Sequence, residues 1–133
     1  MRPATALLLS SALCLGLAGC GDIERRESAA RSAAVGFGAA LRASDPGRAC
    51  RALAPGTREE VERDGPCPTV LAALDPATAA GEPVTTEVYG AQARVVFAHD
   101  SVFLASFPDG WKVTAAGCTP RPGHPARCEV KGD

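Results

Sequence analysis

A chain of 133 residues with 14 lysines and arginines against 15 aspartates and glutamates has the length of one ordinary domain and leaves no room for a second. Its formal charge of −1 argues against a nucleic-acid partner and against polybasic attraction to a membrane, both of which need an excess of cations. Six cysteines in so short a chain make the redox compartment the next question.

The N-terminus bears on it. Met1 and Arg2 give a short positive start, and Ala4 to Ala18 run without a charge, with leucines at 7, 8, 9, 13, 15 and 17. These are the charged and apolar regions of a signal peptide in order. A spanning helix needs about 20 predominantly apolar residues. This run stops short, at a small-residue site followed by Asp22, Glu24, Arg25 and Arg26. Leu17, Ala18, Gly19 and Cys20 resemble the bacterial lipobox: aliphatic, small, small, cysteine. The resemblance implies a diacylglyceryl group on the Cys20 thiol, cleavage between Gly19 and Cys20 and, in the fuller modification, N-acylation of the new terminus. An ordinary cleaved signal peptide with an incidental cysteine is the plainer alternative. Two or more acyl chains hold a protein stably, since each buried methylene adds about 0.8 kcal/mol. The expected location is therefore the extracytoplasmic face of the cell membrane, with the membrane itself as a partner through the lipid anchor on Cys20.

On this reading residues 1–19 are the leader, 20–28 a polar lipidated tether and 29–133 a single exported domain. Removing 19 of the 133 residues leaves 114, with 13 basic and 15 acidic side chains once Arg2 is gone. Cys14 leaves with the leader and Cys20 is spent on lipid. Cys50, Cys67, Cys118 and Cys128 remain, an even number that reads as disulfides in an exported chain. Three pairings can be drawn. Proximity favours Cys50–Cys67 and Cys118–Cys128, one bridge in each half of the domain. A zinc site is the rival, but no C-x-x-C spacing occurs and an oxidising compartment works against free thiolates.

From Ala29 onward, Ala30, Ala34, Phe37 and Leu41 form a helical stripe. Gly36 and Gly38 weaken that helix by about 1 kcal/mol each relative to alanine, which predicts close packing against another element. Asp45-Pro46 ends it and opens a second helix through Ala49, Cys50, Leu53 and Ala54, with aspartate as N-cap and proline in the first turn. Pro55-Gly56 breaks the second helix. Thr57 and Glu60 have capping-box spacing for a third, running through Val61 to Arg63, and Gly65-Pro66 closes it. Pro68 to Leu74 gives a last short helix, which a Cys50–Cys67 bond would clamp to the second.

Asp75 to Pro83 is a small-residue linker, after which the chain turns β-branched and aromatic. Strands are expected over 84–89, 91–98, 102–107 and 111–117, with turns at Gly90, His99-Asp100 and Pro108-Asp109-Gly110 short enough for antiparallel hairpins. Alternation sets Val84, Thr86 and Val88 against Glu87 and Tyr89, and Val95 and Phe97 against Arg94 and Val96. Thr119 to Pro125 reads as a proline-rich loop, and Cys128 to Val130 as an edge strand stapled by the second bridge. The fold class is thus α+β: N-terminal helices packed on a curved antiparallel sheet of four to five strands, with two disulfides.

Phe37-x-x-Ala-Leu, Asp45-Pro46 with Ala49-Cys50, Leu53-Ala54-Pro55-x-Thr57, Cys67-Pro68 and above all Phe107-Pro108-Asp109-Gly110-Trp111-Lys112-Val113 with Ala116-Gly117-Cys118 resemble a family of small exported actinobacterial lipoproteins. Their domain is cone-shaped, like ketosteroid isomerase and nuclear transport factor. The resemblance covers most of the mature chain and implies a curved sheet wrapping its helices around a pocket. A catalytic cone would place a carboxylate base and an oxyanion donor in that pocket, and no residue here matches such a motif.

The residues that could line a pocket are Tyr89, Glu87, Trp111 and His99. Each has a plainer role: Tyr89 and Glu87 on a strand edge, Trp111 as a core anchor after the Asp-Gly turn, His99 with Asp100 as a hairpin turn. Glu59, Glu60, Glu62 and Asp64, interspersed with Arg58 and Arg63, read as a solvated helix face. His124 has no companion for a metal site, and no G-x-S-x-G elbow occurs in the mature chain. No catalytic residue, metal ligand or cofactor is expected. The expectation is a non-catalytic exported domain that binds an envelope protein or a small apolar ligand. The alternatives are a cone-fold hydrolase or isomerase, and a structural subunit of an envelope complex.

Overall fold

The computed structural model describes residues 18–132, with side chains from Gly21 onward. The leader expected over 1–19 and the lipid attachment expected at Cys20 therefore lie outside the described residues, except for the backbone of Ala18 to Cys20. Among the described residues no helix is long and apolar enough to cross a membrane.

The first helix, α1, spans Ala18–Arg42, so residues 21–28, expected as a polar tether, are helical. They are charged, but glutamate and arginine are good helix formers and no proline or cap interrupts them. The segment is also held to the domain, since Arg26 lies 5.6 Å over the Trp111 ring and donates to the Gly90 carbonyl. The buried stripe is Ala30, Ala34, Phe37 and Ala40, small residues around one large one, which let the helix axis come close to the sheet.

Three short helices follow. In α2, Pro46–Arg51, the Asp45 side chain accepts from the Arg48 N–H at 3.1 Å, as the capping pattern predicts. The third, α3, spans Pro55–Glu62 with Ala54 at its N-cap and no side-chain cap bond, so the expected capping box is not what opens it. Proline at the first helical turn is preorganised for the start, which moves Thr57 inside the helix. There it is 2% exposed and its hydroxyl donates to the Thr114 carbonyl at 3.2 Å. In α4, Cys67–Ala72, Cys67 is bonded to Cys50, so α2 and α4 are clamped together. Loop closure over 17 residues is worth about 3 kcal/mol on the chain-entropy account.

The sheet is open and antiparallel, with strands β1 Thr85–Tyr89, β2 Gln92–Val96, β3 Ser101–Phe107, β4 Gly110–Arg121, β5 His124–Arg127 and β6 Val130–Lys131. Its order is β1-β2-β3-β4-β5, and β6 also pairs with β4. The register aligns Val88, Ala93, Leu104 and Val113 in one row and Thr86, Val95 and Val102 in the next. Both rows face α1. Their members from β2 to β4 are at most 1% exposed and form one core with Phe37, Leu53, Leu71 and Val130. Val84 departs from the expected alternation: it precedes β1 and is 68% exposed.

Residues 119–125, expected as a loop, are the end of β4 and the start of β5, joined at Pro122-Gly123. Prolines are excluded from central strands but tolerated in an edge hairpin. Register shifts between β3 and β4 fall between Ser101 and Phe103 and between Phe103 and Leu104. Gly117, at φ +64°, lies in the first of them, the left-handed conformation a glycine bulge requires. Such bulges bend the strand, and the Cys118–Cys128 disulfide fastens the two arms of the hairpin just past the bend.

The expected linker 75–83 is packed rather than loose. Thr78 and Ala79 are buried, and a Cβ on Gly38 would come within 2.2 Å of the Ala79 carbonyl oxygen. The close packing that the two glycines of α1 predict therefore holds for Gly38. Gly36 has nothing within 4 Å of such a Cβ.

Candidate functional site

The concave side of the sheet, where a cone-shaped domain would carry its pocket, is filled. Phe37 of α1 at 1% exposure, with Val95, Val102, Leu104 and Val113, occupies the space between helix and sheet. The four residues expected to line a pocket are not brought together. Glu87 and Tyr89 lie on the opposite, outer face of β1, both exposed. Trp111 is on the core side at the start of β4, under Arg26. His99 is exposed in the turn between β2 and β3, at the other end of the strands.

In that turn the Phe97 N–H donates to the Asp100 carbonyl at 2.8 Å, so His99-Asp100 is the hairpin connection the sequence predicts. The Asp100 carboxylate has a further role: it accepts from the Ala79 N–H at 3.0 and 3.3 Å, pinning the 75–83 segment to the sheet. Burial holds its carboxyl above the usual aspartate range, offset by the Ala79 bond and by neighbouring His99, while Asp75 adds to the rise. The acidic cluster of α3 is solvated as expected, with Arg58–Glu62 and Arg63–Glu60 ion pairs at 2.8 and 3.0 Å.

A recess lies on the outer face of the sheet. A row runs across the sheet there from Glu87 through Arg94 to Phe103, set by direct cross-strand pairing. The β4–β5 hairpin overhangs this row. A cleft of about 390 Å³ lies between Gln92, Phe103, Ala105, Ala115 and Lys131 on the sheet side and Pro125 and Ala126 on the hairpin side. A second, of about 200 Å³, continues from Phe103 and Ala126 to Arg94, Ser101, Arg121 and His124. The first is largely apolar and the second cationic. Neither is lined by an acidic side chain.

Arg94 is the most constrained of these cations. Its guanidinium stands 6.0 Å from the Phe103 ring centroid, and one terminal nitrogen is 3.9 Å from a Glu87 carboxylate oxygen, a loose pair. Its Nε is buried without an acceptor among the described residues. A buried donor left unpaired costs about 1–3 kcal/mol.

Sequence reasoning missed this recess, because it depends on reading 119–127 as a hairpin. The signal was present: Pro122-Gly123 is a turn pair, and Cys118 and Cys128 lie at equal distances from Gly123. With the hairpin in place, His124 gains Arg94 and Arg121 as companions, an anion-binding combination rather than a metal-binding one. Comparison with family models, with curated proteins and with solved structures finds no match to this chain, so the geometry of the cleft is the ground on which a function can be argued.

Proposed function

We propose that this chain is the precursor of a bacterial lipoprotein whose mature domain stays on the extracytoplasmic face of the cell membrane and binds a ligand without transforming it. The observation that carries the reading is the use of the cysteines. Cys50, Cys67, Cys118 and Cys128 are all in disulfides, the state of an exported protein, and of the other two cysteines Cys14 falls in the leader while Cys20 follows Leu17-Ala18-Gly19 as the residue for lipid. Kinship with the cone-shaped actinobacterial domains belongs to the same proposal. Helices before a meander and a bulged β4 support it, while the filled interior moves binding from the inside of the cone to its outer face.

The helix α1 supplies a geometry for the anchor. With a rise of 1.5 Å per residue, the Cys20 backbone lies about 9 Å beyond Arg26 along the axis, at the end of the domain that carries Gly90 and Trp111. Strand β4 runs from that end for 12 residues to the hairpin, so Arg121 and His124 stand at the end of the cleft farther from Gly90, while Gln92 and Ala105 line its nearer end. The test of the anchor is metabolic labelling with radioactive palmitate in cells. Incorporation into the wild-type chain and none into Cys20→Ser is expected; equal labelling of both would refute it. For binding, the native lipidated protein is isolated from membranes and everything retained is identified by mass spectrometry, with specific co-isolation expected.

A further inference from the structure

We infer that the outer-face cleft is a binding site for a small organic carboxylate with a flat apolar body. The inference rests on the reading of the domain as an exported binding module and names the ligand class of that module's site. Three features define the class. The cationic end holds Arg94 and Arg121 beside His124, with no acid in the lining, on a chain whose formal charge is −1, so the positive potential is local and selects anions. The Arg94 side chain is about one-third exposed at the cleft, and a guanidinium presents a planar fork that matches a carboxylate. The largely apolar end, floored by Phe103, Ala105 and Ala115, roofed by Pro125 and Ala126 and with Lys131 at its margin, offers the Phe103 ring as a surface on which a flat aromatic body can stack. The joint size, about 390 and 200 Å³, is in the range of small-molecule sites, roughly 300–1,000 Å³.

The same chemistry sets two other recesses apart: one of about 350 Å³ is lined by Glu24 and Glu27, which repel a carboxylate. The hollow of about 290 Å³ among Leu41, Ser44, Pro46, Leu71, Leu74 and Pro76 is lined by no charged side chain and would take a neutral apolar molecule.

The test uses the full lipidated protein in phosphatidylcholine nanodiscs, with empty nanodiscs as blank, titrated calorimetrically with 2-naphthoate. Three comparison compounds separate the contributions: 2-naphthylmethylammonium has the ring with the opposite charge, 2-naphthylmethanol the ring without charge, and acetate the anion without the ring. Saturable 1:1 binding of naphthoate is expected, weakened by raised salt, with each comparison compound far weaker. Arg94→Gln and Arg121→Gln should each reduce affinity by about tenfold, the equivalent of one charge-assisted hydrogen bond. Phe103→Leu should reduce it further for naphthoate than for acetate. Arg121 is exposed on the hairpin, so its variant reports on binding without risk to the fold, and Arg25→Gln is the control for loss of a remote cation. Equal binding of the ammonium or the alcohol, or unchanged affinity in both arginine variants, overturns the inference. No binding of naphthoate by the folded protein also overturns the ligand class, whereas specific partners recovered with the native protein in that case leave the binding-module reading standing.

Discussion

Gly36 and Gly38 occupy the same helix two residues apart, and alanine should act on them in opposite directions. Each substitution removes backbone freedom from the unfolded chain and gains about 1 kcal/mol of helix propensity. At Gly36 nothing lies within 4 Å of the added Cβ, so Gly36→Ala should keep that gain. At Gly38 the Cβ meets the Ala79 carbonyl oxygen at 2.2 Å and the Ala79 Cβ at 2.9 Å, where ordinary contact begins near 3.4 Å. The loop would have to retreat by 3.4 less 2.2, or about 1.2 Å. It is tied against doing so: Arg42 donates to the Ala79 carbonyl at 3.1 Å and the Ala79 N–H donates to Asp100. Overpacking costs roughly 1–3 kcal/mol, and each tie broken by the retreat costs about 1 kcal/mol more. Gly38→Ala should therefore lose about 1–3 kcal/mol net, a gap of roughly 2–4 kcal/mol between the variants. For a domain of this size that gap is about 10 °C or more in Tm. Urea and thermal unfolding of an oxidised secreted version of residues 21–133, followed by circular dichroism, measures it. Equal stabilisation by both alanines would refute the packing of α1 on the 75–83 segment.

Removing the second disulfide by Cys118→Ser with Cys128→Ser should cost about 2–3 kcal/mol by loop entropy and loosen the arm that carries β5. Faster amide hydrogen exchange across 119–127, with protection of Val95 and Leu104 retained, is the expected pattern; global loss of protection would mean the bridge holds the core as well. Thr57→Val keeps the buried shape but removes one of two donors to the Thr114 carbonyl, which retains the Gly132 N–H at 2.9 Å, an expected loss of about 1 kcal/mol readable as a lower urea midpoint. Asp100 carries a pH dependence. Because burial raises its folded pKa, the folded state binds more protons than the unfolded one just above the usual aspartate range, and stability from this group falls as pH rises through that window. Asp100→Asn retains an oxygen to accept from Ala79 and should flatten that fall. Parallel stability–pH curves for the two proteins would contradict the assignment.

The sequence by itself determined the order of elements and most of the buried face. Asp45-Pro46 capped α2 because aspartate and proline act through local backbone chemistry. The period-2 alternation sorted Val95 and Phe97 onto one face and Arg94 and Val96 onto the other, because a pleated strand leaves no choice, but which face is the core was decided by the packing of α1. Cysteine proximity identified both bridges, and short loops made that a local inference too. Tertiary structure decided what depends on distant partners. The helix α1 continues through its charged first turns because Arg26 finds Trp111 and Gly90, residues more than 60 positions away. Thr57 serves the Thr114 carbonyl instead of a helix end. The candidate site lies on the outer face of the sheet because the β4–β5 hairpin, bent at Gly117, covers Phe103 and Arg94, while Phe37 and the inner rows fill the space between helix and sheet. No local pattern encodes where a hairpin folds back. Its position follows from the bulge, the bridge and the surface beneath it acting together.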